Sequence, residues 1–525
     1  MKSAVLLCGG SGSRLSPITP TYTKSLIPIK GDKTNLENII EVCLRSEVEE
    51  IILIVPPDRL QQYKSVVGSN SSVKIIANYK AYTCNNITTF ALGICNIDPI
   101  YSDGCYFIDG DTYITEERLP IHDPDESIFF AELREHEWGF YTDRSGRVTD
   151  FDKDCTGFCM SGVSYLDIET IDFLKYKLTY EKPNEDDYWE EFLRKYLREL
   201  NVKYIQVKPG FTREYDNIVD LININGVERT LKLIPGVEDV YMKLDSMTND
   251  NYLINFKGEE YIIRIPGVGS EELTHRQSEK FVHEMIENMD VTPKIGYLGT
   301  GAVQLKISKF LKGFHNWKSI YEPEYIYDIL RKLKRLHDIG EDERLYYLNP
   351  ELEIGKYLNL CDTSKLSEKD LRWVSDTYSN IEKYKDVYDR KDNITVVHGD
   401  MINSNILVND IDVYLIDLEY SANCDFNWDL GDLLSEMSIY ERKLKDKEIR
   451  DLASDIVRYY NGLKDSRKTD VRTVILWGAM THFIWSIWGF ARTSMGDDQL
   501  EYARQRLKEC DRFLELVGMS DEKKD

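Results

Sequence analysis

A stretch in the C-terminal half places carboxylates and an amide at a spacing that suits phosphoryl transfer. An apolar run beginning at Val396 is followed by a polar turn and a second apolar run, which predicts strand, loop and strand. The turn, HGDMINSN, contains Asp400 and Asn405, and the second strand delivers Asp417 and Glu419 at alternate positions, on one side. A phosphotransferase needs one carboxylate to orient or deprotonate the attacking hydroxyl, and an amide oxygen and a second carboxylate to hold Mg²⁺ on the nucleotide phosphates. We therefore predict a kinase site, because a hairpin with a solvated loop does not explain this spacing.

Length and charge narrow the class of protein. The 525 residues are too many for one core, so two or three domains are expected. Hydrophobic residues make up 42% and charged residues 30%, as in ordinary soluble globular proteins. The formal net charge of -25 argues against a nucleic acid or an anionic membrane as the main partner. The ten cysteines show no repeated close pairing and no zinc-like cluster, so we expect reduced thiols in a cytoplasmic protein.

One uncharged span, Thr473 to Ala491, is long enough to cross a membrane. It contains Thr481, His482 and Ser486 and carries its tryptophans at helical spacing. Because nothing else in the sequence suggests a membrane protein, we expect a buried helix and no integral membrane segment.

The N-terminal segment has the pattern of a phosphate-binding turn. A short apolar strand, Ala4 to Leu7, leads into GGSGSRL, whose glycines let backbone N–H groups approach phosphates closely. A helix over Leu36 to Arg45 and a strand over Ile51 to Val55 follow, and this alternation predicts a parallel sheet with its ligand at the strand ends. The candidate nucleotide-binding residues here are Leu7, Gly9, Gly10, Gly12, Arg14 and Lys24.

Acidic and aromatic side chains recur further along this segment. A buried strand, Tyr106 to Ile108, ends in Asp109 and Asp111, and acids at such a strand end belong over the ligand crevice, with a surface turn as the alternative. Aromatic residues then stand beside carboxylates in EW, DDYW and EYD. Such pairs suit a cationic ligand, above all a quaternary ammonium, while each aromatic on its own also fits a hydrophobic core.

The segment before Ile234 resembles the nucleotidyltransferases that make nucleotide-activated sugars and alcohols, and more closely the bacterial CTP:phosphocholine cytidylyltransferases. The motifs that carry the resemblance are GGSGSRL, NNITT, IDGD, EW, SGVSY, DDYW and EYDNIVDL, in the family's order. It implies a Rossmann-like α/β cytidylyltransferase domain over residues 1–233. This chain departs from the family at Thr23, where a proline usually precedes the lysine, and in GDKTN after IPI.

The same resemblance implies roles for individual residues. Asp111 and Asp216 would hold Mg²⁺, while Arg14 and Lys24 would hold the CTP phosphates and act in catalysis. Asn86 and Thr89 would lie near the nucleoside. The phosphocholine side would be lined by Trp138, Tyr165, Asp187, Tyr188 and Trp189.

A boundary is expected at Ile234-Pro235-Gly236. Beyond it, strand-like runs between Val240 and Ile265 predict a hairpin whose turn could close over nucleotide phosphates. Arg264 lies on the following strand, and Glu279 lies on a helix predicted from Thr274 to Asn288. We expect Arg264 and Glu279 to form the ion pair that sets the phosphate-binding cation in kinase-like folds, and both belong to the nucleotide site.

The C-terminal segment is similar to the choline/ethanolamine kinase family. The motifs that carry the resemblance are SMTNDNY, YIIRIPG, HRQSE, HGDMINSN, LIDLEYS and NWDL. It implies an α+β, two-lobed protein-kinase-like fold, shared with aminoglycoside phosphotransferases, over residues 237–525. The N-lobe would span about 237–312 and the C-lobe about 313–525.

By this resemblance, Asp400 would be the catalytic base and Asn405 and Asp417 the Mg²⁺ ligands. Glu436 and Tyr440 would sit by the cation of the alcohol. Trp485 and Trp488, three apart on one helix face, would form the choline pocket, with an ordinary core helix as the alternative.

The two resemblances imply consecutive reactions of one pathway. We therefore expect a bifunctional enzyme that phosphorylates choline with ATP and then condenses phosphocholine with CTP, with Mg²⁺ at both sites. The same reactions on ethanolamine, another amino alcohol or a sugar form one alternative. A CDP-choline-binding regulatory protein with one inactive domain forms another, although the catalytic acids are all present in the sequence.

Overall fold

The computed structural model describes residues 2–10, 12–98, 100, 102–244, 249–266, 274, 276–299, 304–389, 391 and 393–521, with the backbone alone of 136, 276 and 519–521. The chain forms two compact units. Unit 1 contains Met1–Tyr241 and Ile254–Glu259, and unit 2 contains Met242–Leu253 and most of the chain from Glu260 onward. The hairpin turn predicted over the phosphates, at 245–248, lies outside the described residues.

Unit 1 is an α/β structure built on a seven-stranded sheet and a small two-stranded one. Its strands are β1 (Lys2–Leu7), β2 (Val48–Val55), β3 (Val73–Ala77), β4 (Gly104–Asp109), β5 (Thr112–Ile114), β6 (Ser127–Thr142), β7 (Val148–Asp167), β8 (Val202–Gln206) and β9 (Thr212–Glu214). Its α-helices are α1 (Asn35–Arg45), α2 (Leu60–Val67), α3 (Ile87–Asn96), α4 (Ile168–Tyr180), α5 (Trp189–Arg194), α6 (Ile218–Asn225) and α7 (Val227–Leu231).

The large sheet has the order β3-β2-β1-β4-β7-β6-β8. Strand β1 is a buried apolar run that pairs in parallel with both β2 and β4, as the sequence pattern predicts for a central strand. In this register Leu7 lies opposite Asp109. The glycine-rich turn after β1 and the acids after β4 therefore leave the sheet at the same edge.

From Val237 onward the chain forms a five-stranded sheet, of order β10-β11-β12-β14-β13, and then a helical region with a three-stranded sheet, β15-β17-β18, and the strand pair β16-β19. The strands are β10 (Val237–Leu244), β11 (Asn249–Phe256), β12 (Glu259–Pro266), β13 (Ile295–Leu298), β14 (Lys306–Lys309), β15 (His315–Asn316), β16 (Ile394–Val397), β17 (Ile406–Val408), β18 (Val413–Leu415) and β19 (Ala422–Asp425). The helices are α8 (Arg276–Ile286), α9 (Ile326–His337), α10 (Pro350–Leu360), α11 (Glu368–Ile381), α12 (Lys385–Tyr388), α13 (Asn427–Ile439), α14 (Asp446–Gly462), α15 (Val471–Ser494) and α16 (Leu500–Asp521).

The uncharged span of the sequence forms α15. By length and composition α15 could cross a membrane, yet its apolar window is entirely buried inside unit 2. It packs against α13 and α16, and its side chains form much of the unit's core. Burial on all sides explains why this helix has no polar face.

The expected strand through Asp417 and Glu419 is wrong. Strand β18 ends at Leu415, and Asp417 has a positive φ of 63° in the turn that begins the 3₁₀ helix Leu418–Tyr420. Alternation along a strand therefore does not place these carboxylates. Both nevertheless contact the guanidinium of Arg264, because the turn brings them to the same cation.

Two candidate active sites

In unit 1, a lysine bridges the two carboxylates expected at the metal. Lys24 Nζ lies 2.5 Å from Asp111 Oδ2 and 2.6 Å from Asp216 Oδ1, and Arg14 Nη1 lies 3.1 Å from Asp216 Oδ2. Burial alone would lower the pKa of Lys24, but the two carboxylates hold it above its usual value. Residues 14, 24, 111 and 216 thus converge from distant parts of the chain on one charged cluster.

This carboxylate pair has the chemistry of a magnesium site that is completed by substrate. Mg²⁺ in nucleotide enzymes is held by one or two carboxylates, with phosphates and waters supplying the other oxygens. Asp111 and Asp216 offer such oxygens next to each other, around the same ammonium. Among the described residues no group of three His, Cys, Asp or Glu side chains is arranged for a metal.

The backbone around the glycine turn is tied to this cluster. The N–H of Gly110 donates to the carbonyl of Leu7 at 3.1 Å, which joins the ends of β1 and β4. Gly12 has a φ of 63°, and a Cβ there would lie 2.8 Å from Thr19. A left-handed, tightly packed position of this kind favours glycine.

Gly9 packs directly against Thr89, the residue expected near the nucleoside. A Cβ on Gly9 would lie 2.3 Å from Thr89 Oγ1, which itself accepts a hydrogen bond from Asn78 Nδ2 at 3.0 Å. Asn86 is also engaged, since its Oδ1 accepts the backbone N–H of Trp189 at 2.9 Å. The segment NNITT therefore links the glycine turn to the DDYW segment.

We expect Gly9→Ala to destabilise the protein by about 1–3 kcal/mol, because the added methyl must displace Thr89 in a packed core. For a unit of this size the melting temperature should fall by several degrees. Gly10→Ala is the matched control, since a Cβ on Gly10 meets nothing within 4 Å. Equal melting temperatures for the two variants would contradict this packing.

Next to the charged cluster lies a small cavity of about 70 Å³ whose walls are acidic and aromatic. Four carboxylates and four aromatic rings line it, together with small and apolar side chains: Asp109, Glu137, Glu190, Glu214, Phe107, Phe129, Trp138, Trp189, Met160, Gly162, Val163 and Ser164. Trp138 and Trp189 were expected at the substrate and Asp109 at the ligand crevice, and Glu137 and Glu214 belong to the EW and EYD motifs that suit a cation. Glu190 was not singled out from the sequence.

The acids of this cavity hold protons more tightly than free carboxylates. Burial raises the pKa of Glu190 to about 8 and that of Glu214 to about 7. Burial, together with nearby acids, raises the pKa of Asp109 well above its usual range. A bound cation would favour the ionised forms, so the cavity has the electrostatics of a binding site for a cationic group.

Of the expected substrate residues, Tyr188 contacts the wall of this cavity. The ring of Tyr188 lies 5.6 Å from that of Trp138, at 60°, in an edge-to-face arrangement. Asp187 is already paired, with Lys195 Nζ 3.0 Å away. Trp189 stacks on Phe90 with its ring centroid 4.8 Å away.

The placement of Tyr165 among the substrate residues is wrong. Its ring packs against Tyr106 and His122 in the core, and its hydroxyl lies 3.3 Å from the carbonyl of Asp103. Tyr165 belongs to the core that contains Tyr106, whereas Phe107 and Phe129 of the cavity wall belong to a separate core cluster. Successive side chains of a strand point to opposite faces, so Tyr106 and Phe107 lie on different faces of the sheet.

In unit 2, a buried aspartate from NWDL fixes the HGD turn. Asp429 accepts the backbone N–H groups of His398 at 2.8 Å and Gly399 at 3.0 Å, and its Oδ2 lies 2.9 Å from His337 Nε2. His398 Nε2 in turn lies 2.9 Å from the carbonyl of Ile416. This network connects the turn that bears Asp400 to the segment that bears Asp417.

Asp400 lies in an acidic, hydrogen-bonded position. Its Oδ2 accepts from Asn405 Nδ2 at 2.9 Å, and this bond uses the amide nitrogen of Asn405 and not its oxygen. Burial and the nearby carboxylates of Asp432 and Glu436 raise the pKa of Asp400 well above its usual value. Asp400, Asn405 and Asp417 carry the oxygen donors that suit Mg²⁺.

The expected ion pair of Arg264 and Glu279 is present, and it includes a second cation. Arg264 Nη2 lies 2.5 Å from Glu279 Oε2, and Lys306 Nζ lies 2.7 Å from Glu279 Oε1. Lys306 also lies 3.7 Å from Asp417 Oδ1. Lys306 was not identified from the sequence, where it stands in the unremarkable run QLKIS on β14.

The two expected tryptophans lie in an aromatic corner rather than in a plain apolar helix face. Trp485 meets Tyr420 at 5.4 Å and 88°, and it meets Trp488 at 6.2 Å and 84°. The Nε1–H of Trp485 donates to Asp432 Oδ1 at 2.9 Å. Tyr502 adds a further ring 6.0 Å from Trp488. The sequence did not single out Tyr420, Asp432 or Tyr502, whose roles depend on contacts between distant helices.

The two other residues expected at the alcohol are engaged differently. Glu436 lies near Asp400 but forms a buried ion pair with Arg506. Tyr440 directly follows α13 as its C-cap, and the described contacts join its ring to Tyr321 and do not join it to the tryptophans. Glu436 therefore lies among the acids near Asp400, and its charge is balanced by that of Arg506.

Comparisons with known proteins agree with this division. Residues 240–511 match the model of the choline/ethanolamine kinase family, and residues 3–117 match the nucleotidyl transferase model. The chain is 24% identical over 231 residues to the choline-phosphate cytidylyltransferase of Haemophilus influenzae, covering 42% of this chain and 95% of that protein. It is 23% identical over 226 residues to the 2-aminoethylphosphonate cytidylyltransferase of Lancefieldella rimae, covering 42% and 90%.

A solved structure, choline kinase LicA from Streptococcus pneumoniae, is 23% identical and covers 53% of this chain and 94% of that one, with a TM-score of 0.45. The kinase family model covers more than half of the 525 residues. The chain therefore belongs to the choline/ethanolamine kinase family and carries an N-terminal nucleotidyltransferase domain, so it is a phosphotransferase and a nucleotidyltransferase in one polypeptide.

Proposed function

We propose that this enzyme makes CDP-choline in two steps. The kinase domain, which we place at 237–525, phosphorylates choline with ATP. The cytidylyltransferase domain, which we place at 1–233, joins phosphocholine to CMP from CTP and releases pyrophosphate. The observation that carries this proposal is that each candidate site places charged groups suited to phosphates together with aromatic and acidic side chains suited to a cation.

In the kinase step, the choline hydroxyl attacks the γ-phosphorus of ATP. A new O–P bond forms as the bond to ADP breaks, and Asp400 takes the hydroxyl proton. Arg264 and Lys306, fixed by Glu279, supply positive charge for the nucleotide phosphates. Mg²⁺, held by Asn405 and Asp417, would neutralise charge on those phosphates.

In the cytidylyl step, a phosphate oxygen of phosphocholine attacks the α-phosphorus of CTP in line. Pyrophosphate leaves, and no protein nucleophile is needed. Lys24 and Arg14 neutralise the developing charge, with Asp111 and Asp216 as ligands for Mg²⁺. The cavity beside them would receive the cationic head group.

Choline is favoured over ethanolamine by the state of the acids near the aromatic corner of Trp485 and Trp488. Asp432 already accepts the N–H of Trp485 and the backbone N–H of Met401, the latter at 2.7 Å, and Glu436 is paired with Arg506. Ethanolamine's ammonium has three N–H donors that need acceptors, whereas a trimethylammonium needs none and binds through aromatic faces. The aromatic corner supplies such faces.

A phosphonate substrate, as named for one relative, is a weaker candidate. A kinase transfers a phosphoryl group to oxygen and so makes a phosphate ester, whereas a phosphonate contains a carbon–phosphorus bond that such a transfer does not create. The fused kinase domain therefore favours a phosphorylated alcohol as the substrate of the cytidylyl step.

Purified enzyme should show a higher kcat/KM for choline than for ethanolamine. Trp488→Ala should raise the KM for choline roughly ten- to thirtyfold, since a desolvated cation–ring contact is lost, while the KM for ATP changes little. Steady-state kinetics with each alcohol measure this, and circular dichroism confirms folding. A wild-type preference for ethanolamine, or a folded variant with the same choline KM, would refute choline as the substrate.

A further inference from the structure

A lysine ammonium occupies the aromatic pair beside the cavity of unit 1. Lys153 Nζ lies 5.3 Å from the ring centroid of Trp138 and 5.1 Å from that of Tyr188. It also lies 2.7 Å from Glu191 Oε1. Two rings and a carboxylate around one cation are the arrangement by which proteins bind a trimethylammonium group.

Lys153 also lies close to the cavity itself. Trp138 belongs both to the pair and to the cavity wall, and the charge of Lys153 acts on the buried Glu190 of that wall. The side chain is 55% exposed and its long stem is free to move into solvent. An exposed ion pair of this kind is weak, so breaking it costs little free energy.

We propose that Lys153 is a tethered competitor for the cationic head group of the substrate. This inference rests on the proposed function and assigns a new specificity role to the same site. In the free enzyme the ammonium fills the Trp138–Tyr188 pair, and it moves out to solvent when a quaternary ammonium takes its place. Because every entering cation must displace it, Lys153 raises the KM for all of them by the same factor.

Removing this cation should therefore tighten substrate binding. For Lys153→Met we expect the KM for phosphocholine to fall roughly two- to fivefold, while the KM for CTP serves as the internal reference. The KM for phosphoethanolamine, where measurable, should fall by the same factor. Lys153→Arg keeps a cation that binds aromatic faces, so its KM should not fall.

Lys177→Met is the matched control. Its ammonium lies 4.7 Å from the Tyr196 centroid, 5.4 Å from that of Phe173 and 3.0 Å from Glu181, so the same contacts are deleted on α4, outside the cavity wall. The KM for phosphocholine in this variant should equal that of the wild type. A fall as large as that of Lys153→Met would overturn the proposal.

Two further outcomes would also overturn it: a raised KM in Lys153→Met, which would mean that Lys153 contacts the substrate phosphate, and an unchanged one. Failure of the wild type to use phosphocholine would instead contradict the proposed function. Titration with tetramethylammonium, followed by tryptophan fluorescence, then still tests the inference. Tighter binding by Lys153→Met than by wild type supports it, and equal or weaker binding overturns it.

Discussion

Asp400→Asn is expected to reduce choline phosphorylation by about 10²- to 10⁴-fold, the usual contribution of a general base. The amide keeps the shape of the side chain and can still accept from Asn405, but it cannot take the hydroxyl proton. The measurement is ADP release with saturating choline and ATP.

The same protein provides the control, because Asp111 and Asp216 lie in unit 1 and should still transfer CMP to phosphocholine. Asp410→Asn, in the exposed turn between β17 and β18, is the matched surface variant and should phosphorylate choline normally. A folded Asp400→Asn protein that phosphorylates at the wild-type rate, or one that loses both reactions, would show that the assignment is wrong.

Asp216→Ala should have the opposite effect. The substitution removes a carboxylate that contacts both Lys24 and Arg14, and loss of such a charge-positioning group typically costs 10²- to 10³-fold in rate. Pyrophosphate release from CTP and phosphocholine should fall by about that factor, with choline phosphorylation retained. Asp125→Ala, at an exposed position, is the control for carboxylate removal. If Asp216→Ala left pyrophosphate release intact, the charged cluster would not be the site of transfer.

The elements that carry the candidate site residues were predictable where a single stretch of sequence is enough to define them. The buried run of β1, the glycine turn after it and the acids after β4 carry local signals, and parallel pairing places Leu7 opposite Asp109. The pair of Arg264 and Glu279 was also predictable, since a strand and the following helix supply it. Motif order was sufficient for these features.

Two predictions failed because they depended on backbone direction. The strand before Asp417 ends early, and a residue with φ of 63° redirects the chain, so alternation no longer applies. Tyr165 was grouped with its motif SGVSY, but its ring packs against Tyr106 and His122 and does not line the cavity. A shift of one residue along a strand is enough to exchange a site residue for a core residue.

Contacts between distant segments were beyond the sequence pattern. Glu190, Glu214 and Asp109 converge on one cavity from different elements. Asp432 and Tyr420 likewise complete the aromatic corner around Trp485. Such groupings depend on how distant elements pack together. This packing produces no regular spacing of residues along the sequence.

We expect one polypeptide to perform both the phosphorylation of choline and the cytidylyl transfer. The most direct measurement incubates the purified wild-type protein with choline, ATP, CTP and Mg²⁺ and identifies the products by mass. We expect ADP, pyrophosphate and CDP-choline. In a parallel reaction, phosphocholine and CTP should give CDP-choline without choline or ATP. Phosphocholine that accumulates without CDP-choline, or an absence of ADP when choline is supplied, would contradict it.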